Sequence, residues 1–352
     1  QTDTQFQLGE NGEPVEYTLL MHQFPQDALF LSLFERGELT ETLMEELGRV
    51  VATFHALAPT SDRIKTFGEP DQVRKAFDEN FEQTEKYIGG PQTQAQFDDT
   101  KQYSERFFGE YRELLNSRIT NNWIRECHGD LHLRNICLLQ NKILLFDCIE
   151  FNEPFRFVDV MFDIAYAVMD LEARQRPDLA NAYLNTYVEE IGDWEGLQVL
   201  PLYLNRQSYV RAKVTSFLLD DPGVPWTEKE KAKETASHYY KMAWQYTKPR
   251  QGKLILMSGL SGSGKSTIAK KLARRMGAIH IRSDAVRKHL GGVPLYEKGG
   301  ADLYSPEMTE KTYKRLLELG IKLAATGYSV ILDAKYDREA LRQDAIAQSQ
   351  SH

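Results

Sequence analysis

Cysteine is scarce in this chain, long apolar runs are missing, and positive charge is in the minority. The 352 residues hold three cysteines, Cys127, Cys137 and Cys148, an odd set without C-x-x-C spacing, which argues against a zinc site and predicts three buried thiols in a reducing compartment. No stretch approaches the ~18 uncharged apolar residues that a membrane span requires, and no charged segment followed by an apolar one opens the chain as a targeting signal would. A cytoplasmic protein without a membrane partner is expected. Lys and Arg number 43 against 51 Asp and Glu, a formal charge of −8. A chain without a positive excess is poorly matched to a phosphate backbone, so nucleic acid is not the expected partner. Residue 1 is Gln rather than Met, and a fragment is expected.

What is present is ordinary folded composition, 41% apolar and 27% charged, over a length that predicts two or three domains. The clearest break is Tyr246-Thr247-Lys248-Pro249-Arg250-Gln251-Gly252, where a helical pattern gives way to an apolar strand pattern; it divides the chain into units 1–247 and 251–352. In the first unit Val15 to Met21 reads as a strand. Leu39, Leu43, Leu47, Val50, Phe54 and Leu57 recur at helical spacing, and three more helical patterns lie between Asp178 and Trp244. His55 lies in the first of these helices without a visible partner, so a structural role is expected. The second unit alternates strand and helix from Leu254 to Leu332, the mark of a parallel sheet with crossover helices in an α/β/α sandwich. Three strands are visible where sheets of this architecture usually have five, so a sheet cut short at the C-terminus is expected.

Gly259-Leu260-Ser261-Gly262-Ser263-Gly264-Lys265-Ser266 fits G-x-x-x-x-G-K-[ST], after a strand and before a helix. A loop of small residues lets backbone N–H groups converge on phosphate oxygens, and the following helix adds the positive end of its dipole. ATP is the expected nucleotide, held by Gly259, Ser261, Gly262, Ser263, Gly264, Lys265, Ser266 and Thr267, with Ser266 on Mg²⁺. Ile268, Leu272 and Met276 form the expected buried stripe of the helix, leaving Lys270, Lys271, Arg274 and Arg275 to solvent. Asp333 closes the run Val330-Ile331-Leu332 and is the candidate Mg²⁺ acid, a structural cap being the alternative. Asp284 is a candidate base for an acceptor hydroxyl, with Arg287 one turn on for an anionic group; the alternative is an N-cap Asp beside a solvated Arg. This half resembles small P-loop kinases such as gluconate kinase and adenylylsulfate kinase, and the polynucleotide kinase and zeta-toxin relatives, though it lacks their later arginine-bearing lid.

A second signature lies upstream. His128-Gly129-Asp130-Leu131-His132-Leu133-Arg134-Asn135 has the D-x-x-x-x-N spacing of a kinase catalytic loop, and Asp147 follows twelve residues later. Ile136 to Leu139 and Ile143 to Phe146 flank a Gln140-Asn141 turn, so a hairpin should return the chain and set Asn135 beside Asp147. Both could then hold Mg²⁺ while Asp130 faces the acceptor hydroxyl. The loop resembles that of the aminoglycoside phosphotransferase and choline kinase branch of the protein-kinase-like fold. That resemblance makes Asp147 the metal-binding acid, with Cys148-Ile149 where kinases have Phe-Gly, and implies that an Asp near Asp159 or Asp163 braces the loop, a structural role being favoured for Asp163. His132 is expected to fill the loop. The family's Gly-rich loop and strand lysine are not visible before residue 22; Gly9 to Gly12 reads as a turn and His22 to Phe24 as a hinge, so the lobe is expected to begin upstream and this stretch to bind ATP weakly. Arg206, Arg211 and Lys213 share one predicted helix, with a solvated face favoured over an anionic pocket.

The order of the two signatures resembles bacterial proteins that fuse an aminoglycoside phosphotransferase to an AAA-type, gluconate-kinase-like ATP-binding domain. The resemblance implies a helix-rich kinase-like C-lobe followed by an incomplete P-loop α/β domain, and a bifunctional enzyme that transfers the γ-phosphoryl of Mg-ATP to hydroxyls of small molecules. The competing expectation is an ATP-binding regulatory protein whose first half only recognises a ligand; a nucleic-acid 5′-end kinase is a third and weaker one.

Overall fold

The computed structural model describes Tyr17, Thr18, Leu20, residues 23–260 and residues 262–350. The turn at residues 9–12, His22 of the expected hinge, and Ser261 lie outside the described residues; of the expected strand at 15–21, only Tyr17, Thr18 and Leu20 are described, and none is in a strand.

Among the described residues, six α-helices precede the first strand: α1 (Phe30–Glu35), α2 (Glu41–Leu57), α3 (Asp62–Thr66), α4 (Pro70–Thr84), α5 (Gln94–Glu110) and α6 (Arg112–Thr120). Then come β1 (Ile124–Glu126), the antiparallel hairpin β2 (Ile136–Leu139) and β3 (Lys142–Leu145), the one-turn α7 (Glu153–Arg156), and β4 (Phe157–Asp159), which returns antiparallel to β1. The helices α8 (Val160–Ala173), α9 (Pro177–Ile191), α10 (Leu200–Asp220) and α11 (Trp226–Tyr246) complete this half, and the three helical patterns read after Asp178 are the last three. The apolar helix α8 is buried over most of its surface and packs against α9 and α10.

Helix α2 shows how the sequence reaches this packing. The Thr40 hydroxyl caps it by accepting from the Leu43 amide, one of the donors a helix start leaves unpaired. Its buried residues include Met44, Leu47, Val51 and His55, whereas Leu57 is 80% exposed. The inward face is thus rotated from the expected one, because α9 crosses α2 at Gly48, where a Cβ would meet the Tyr183 carbonyl oxygen at 2.9 Å.

The second half contains β5 (Lys253–Met257), α12 (Lys265–Met276), β6 (Ile279–Arg282), α13 (Ser283–Leu290), α14 (Pro306–Ala325), β7 (Ser329–Asp333) and α15 (Glu339–Gln350). Among the described residues its sheet has three parallel strands in the order β5-β7-β6. Met257 and Arg282 are both in register with Asp333. The carboxyl ends of all three strands therefore finish level, the edge at which open α/β sheets bind ligands.

The expected stripe on α12 is not the buried one. Ile268 is 59% exposed and Met276 41%, while Ala269 and Ala273 are buried against Ile331. Small side chains let the helix lie close to the sheet while its flank meets the first half: Arg274 pairs with Glu41 and Glu45 of α2, and Lys270 reaches Glu45 at 2.6 Å. Arg274, expected in solvent, is instead mostly covered and ties the halves together, while Lys270 stays exposed as expected even as it pairs with Glu45.

Helix α9 closes the free edge of β6 with side chains. Asn181 and Asn185 donate from Nδ2 to the Ala278 carbonyl at 2.9 and 3.0 Å, and the His280 amide donates to Asn185 Oδ1 at 2.7 Å. An open strand edge presents unpaired backbone groups; here two asparagines satisfy them. Arg282 adds a two-pronged pair to Glu189 at 2.8 and 2.5 Å, and the apolar core runs unbroken from Tyr183 to Ile279 and Leu332.

Cys127 and Cys137 are buried as expected, but Cys148 is exposed. It follows Asp147, whose φ of 59° turns the chain away from the β2–β3 hairpin. No described helix is long and apolar enough to cross a membrane.

Candidate phosphotransfer sites

The first site is built on the β2–β3 hairpin. Gln140 and Asn141 both take positive φ, 48° and 61°, the turn whose twist matches paired strands. Ile136 faces Leu145 across the hairpin, and the Phe146 amide donates to the Asn135 carbonyl at 3.1 Å. Asn135 and Asp147 thereby start and finish the same hairpin end, as the sequence predicts. Asn135 Nδ2 donates to the Asp130 carbonyl at 3.0 Å and to Asp130 Oδ2 at 3.1 Å.

Two histidines hold the loop. The Arg134 amide donates to His132 Nδ1 at 3.2 Å, so the proton sits on Nε2, 3.4 Å from Asp130 Oδ2. By the same logic His128 Nδ1 accepts from the Asp130 amide and its Nε2 donates to the Phe146 carbonyl at 2.8 Å. Burial raises the Asp130 pKa, but the hydrogen bond from His132 and the favourable electrostatics of His132, His128 and Arg211 outweigh it, so the carboxyl lies below its ordinary value. His132 fills the loop, as expected.

Asp163 is the brace. Its Oδ1 accepts from the Gly129 amide at 2.7 Å, and its Oδ2 accepts from the His128 amide at 3.1 Å and meets His55 Nε2 at 2.9 Å. Gly129 needs its φ of 84° to present that amide. Burial raises the Asp163 pKa, yet the His55 hydrogen bond, the favourable electrostatics of His55 and His128, and the Gly129 amide hold it below the ordinary value. His55 Nδ1 in turn meets the Tyr187 hydroxyl at 2.8 Å. Neither partner of His55 was visible in the sequence, since they lie 108 and 132 residues away. His55, Cys127 and Asp163 are close enough to hold a metal ion. Burial, however, raises the Cys127 thiol well above its ordinary pKa, and both His55 nitrogens are engaged, so the trio is a hydrogen-bonded brace. Asp159 is separate: it accepts from Arg118 and caps α8 at the Met161 amide.

The expected solvated face of α10 is not there. Arg206 is buried, Arg211 is partly buried beside Asp130, and Lys213 Nζ bonds Asn80 Oδ1 at 2.7 Å. The helix packs on both α8 and α11, so this flank faces protein.

The second site lies at the level strand ends. Gly259, Gly262 and Gly264 adopt φ of 144°, 79° and 84°, and at Gly262 and Gly264 a Cβ would meet only open space, so backbone conformation is what demands glycine there. The loop ends at the N-terminus of α12, with Gly264 at its N-cap, the end of a helix that favours an anion. Lys265 Nζ donates to the Leu260 carbonyl at 2.6 Å, and the Gly259 amide donates to the Lys335 carbonyl at 3.0 Å. Asp333 is 5% exposed, with Oδ2 3.0 Å from His280 Nε2. Burial raises its pKa, but hydrogen bonds from His280 and Ser266 and the charges of His280 and Lys265 draw it below the ordinary value. Lys265 and Ser266 thus come together with Asp333, with Ser263 and Thr267 on either side of them in the chain. His280 was missed, although a histidine between Ile279 and Ile281 in an apolar strand was the available signal.

Asp284 is the second residue of α13, exposed, with Lys288 Nζ at 3.4 Å. Arg282, not Asp284, holds the N-cap position. Arg287 Nη1 donates to the Leu303 carbonyl at 3.1 Å and to Thr309 Oγ1 at 3.0 Å, so it also ties α13 to α14. Between α2 and α9 on one side and α12 and β6 on the other lies a cavity of about 470 Å³ with Ser266, Glu189 and Arg282 in its wall.

Residues 20–200 match the model of the phosphotransferase enzyme family, and residues 254–352 match that of an AAA domain. The chain belongs to the phosphotransferase enzyme family. Its second half is P-loop-like. It is 30% identical over 346 residues, 95% of its length, to uncharacterized proteins of Mycobacterium tuberculosis and Mycobacterium bovis, and it spans 66% of the length of each. It is also similar to a cytidylate kinase of Caldicellulosiruptor saccharolyticus, 34% identical over 26% of this chain and 40% of that one. With a shikimate kinase of Geobacter sulfurreducens it shares 28% identity over 28% of this chain and 56% of that one.

Proposed function

We propose that the chain is a bifunctional, ATP- and Mg²⁺-dependent phosphotransferase whose two units, residues 1–247 and 251–352, each transfer a γ-phosphoryl group to a hydroxyl of a small molecule. The observation that carries this reading is the meeting of Lys265, Ser266 and Asp333 at the level ends of β5, β7 and β6. Bound Mg²⁺ would neutralise charge on the phosphates, and phosphoryl transfer depends mainly on positioning and such neutralisation.

In the second unit the amides of the 259–264 loop, with Ser263 and Thr267 beside them, cradle phosphate oxygens. Lys265 leaves the Leu260 carbonyl for phosphate, and Ser266 and Asp333 hold the metal side. Asp284 takes the proton of the acceptor hydroxyl. The body of the acceptor lies in the seam cavity, whose wall includes Arg282 but not Asp284, and its reacting hydroxyl would have to extend past Arg282 to reach Asp284; Arg282 and Glu189 already neutralise each other there, which favours a neutral polyhydroxyl compound over an anion, and Arg287 would then position α13 and not bind substrate. In the first unit Asn135 Oδ1 and Asp147 hold the metal, while Asp130, kept ionised by His132, orients and deprotonates the acceptor hydroxyl.

The test is Mg-ATP turnover by the full chain with and without a pooled library of hydroxyl compounds, alongside Lys265→Ala and Asp130→Ala. Two acceptor-dependent activities, each lost in one variant, are the expected result. Loss in the Lys265 variant alone would reduce the first unit to a recognition module, and no acceptor-dependent turnover at all would favour a regulatory ATP-binding protein.

A further inference from the structure

Two arginines are buried in the first half, and they are treated differently. Arg118 is neutralised by Asp159 and Asp193, with contacts of 2.7 to 2.8 Å. Arg206, 9% exposed on α10, has its guanidinium carbon 4.7 Å from the ring centre of Phe162 and 5.8 Å from that of Phe77. Among the described residues no carboxylate, carbonyl or hydroxyl accepts a hydrogen bond from it. Asp159 is near but fully taken, by Arg118 and the Met161 amide. Burial lowers the Arg206 pKa to about 10, so the group is still charged at neutral pH. Aromatic faces attract a cation, but they leave its five N–H groups without acceptors. An enclosed charge without a counter-charge is costly, and native interiors pair such groups.

The missing acceptor has a place to sit. Arg206 lines a cavity of about 140 Å³ whose other walls include Val73 and Ala76 of α4, Ile124, Phe155 and Tyr203, together with Asp159, whose two oxygens are held by Arg118 and the Met161 amide. Those walls are predominantly apolar, which excludes a heavily hydrated dianion such as free phosphate. The volume is close to that of an engineered apolar cavity of ~150 Å³ that admits benzene. A ligand that fits both features carries one negative group on a compact apolar body.

We propose that this cavity is a binding site for a small monocarboxylate with an aromatic or branched aliphatic body, its carboxylate accepting from Arg206 and its body packed against Phe155, Phe162 and Val73. The site is distinct from the residues assigned to either phosphotransfer centre, and its assignment does not depend on theirs. It lies close to the first centre all the same. The Phe155 carbonyl oxygen is 2.6 Å from where a Cβ on Gly129 would stand, and Phe162 precedes the loop brace Asp163.

The experiment is calorimetric titration and thermal unfolding of the full chain with benzoate, and with benzamide as its neutral isostere. Benzoate should bind saturably and raise the melting temperature, and benzamide at equal concentration should do neither. Arg206→Met should weaken benzoate binding about thirtyfold or more, the loss expected when one member of an enclosed charge pair is removed. Because that variant also changes the protein interior, Ala76→Phe supplies a second test: it keeps Arg206, fills the cavity from α4, and should abolish benzoate binding in a protein with unchanged circular dichroism. Equal responses to benzoate and benzamide, benzoate binding that survives in Ala76→Phe, the same stabilisation by chloride alone, or no saturable binding at millimolar benzoate would each overturn the proposal.

Discussion

Asn185, on a helix of the first half, accepts the backbone amide of His280 in the second at 2.7 Å, and the imidazole of the same His280 stands 3.0 Å from Asp333. The side chain that closes the sheet edge is thus one residue removed from the carboxylate at the phosphate loop. The edge of the P-loop sheet is finished by the phosphotransferase half.

Asn185→Ala should destabilise the second half by ~1–3 kcal/mol, the usual cost of leaving a buried backbone donor unpaired. It should also weaken nucleotide binding there, because His280 loses its anchor. Urea unfolding followed through both halves, with a nucleotide titration, is the check. A variant with wild-type unfolding and wild-type nucleotide affinity would show that the edge is held by other contacts.

The seam between α2 and α12 makes a second prediction. Arg274→Glu puts a carboxylate against Glu41 and Glu45, which now share the Arg274 guanidinium, and should destabilise by about 2 kcal/mol or more. Glu45→Lys in the same chain should recover part of the loss. The double-mutant cycle separates the pair from general damage, since unconnected sites simply add.

Much of both candidate sites was legible because their motifs are local. The loop from Gly259 to Ser266, the turn at Gln140 and Asn141, and the spacing from Asp130 to Asn135 each fix backbone geometry within a few residues. The braces were not legible, since His55 meets Asp163 only through the packing of α2 on α9 and α8. The reading of α12 failed for a related reason. Its apolar residues at four-residue spacing imply one buried face, but the close approach of sheet and helix selects the alanine face, and Glu41 and Glu45 draw Arg274 from solvent. Arg206 was read as solvated because nothing in the sequence shows that both faces of α10 are covered.

Acid should act on the two braced carboxylates. Asp163 and Asp333 both have pKa values below the ordinary one. The folded state therefore holds their protons less tightly than the unfolded chain does. Their contribution to stability is complete above an unfolded pKa of about 4 and is lost as pH falls through the lower folded values. Urea midpoints between pH 6 and pH 3 should fall steeply below about pH 4, and Asp163→Asn should flatten that limb while lowering the midpoint at pH 7. A wild-type acid limb in that variant would mean that Asp163 does not titrate with folding.

His55 should matter to catalysis without touching any reacting group. Its ring bridges the Tyr187 hydroxyl and Asp163, and Asp163 in turn holds the amides of His128 and Gly129 that lead into Asp130. His55→Phe keeps much of the volume but removes both hydrogen bonds, leaving a buried carboxylate and a hydroxyl short of partners, at a cost of ~2–4 kcal/mol. If the ring positions the loop, turnover at the first site should fall about tenfold or more at temperatures where the variant is still folded, as expected for misplaced catalytic geometry. The Michaelis constant for nucleotide should move much less, since Asn135 and Asp147 hang on the hairpin and not on Asp163. His55→Gln, which can still bond Asp163, should recover part of the turnover. Equal turnover in folded His55→Phe would leave the histidine a packing residue and assign the loop's geometry to Gly129 and the hairpin alone.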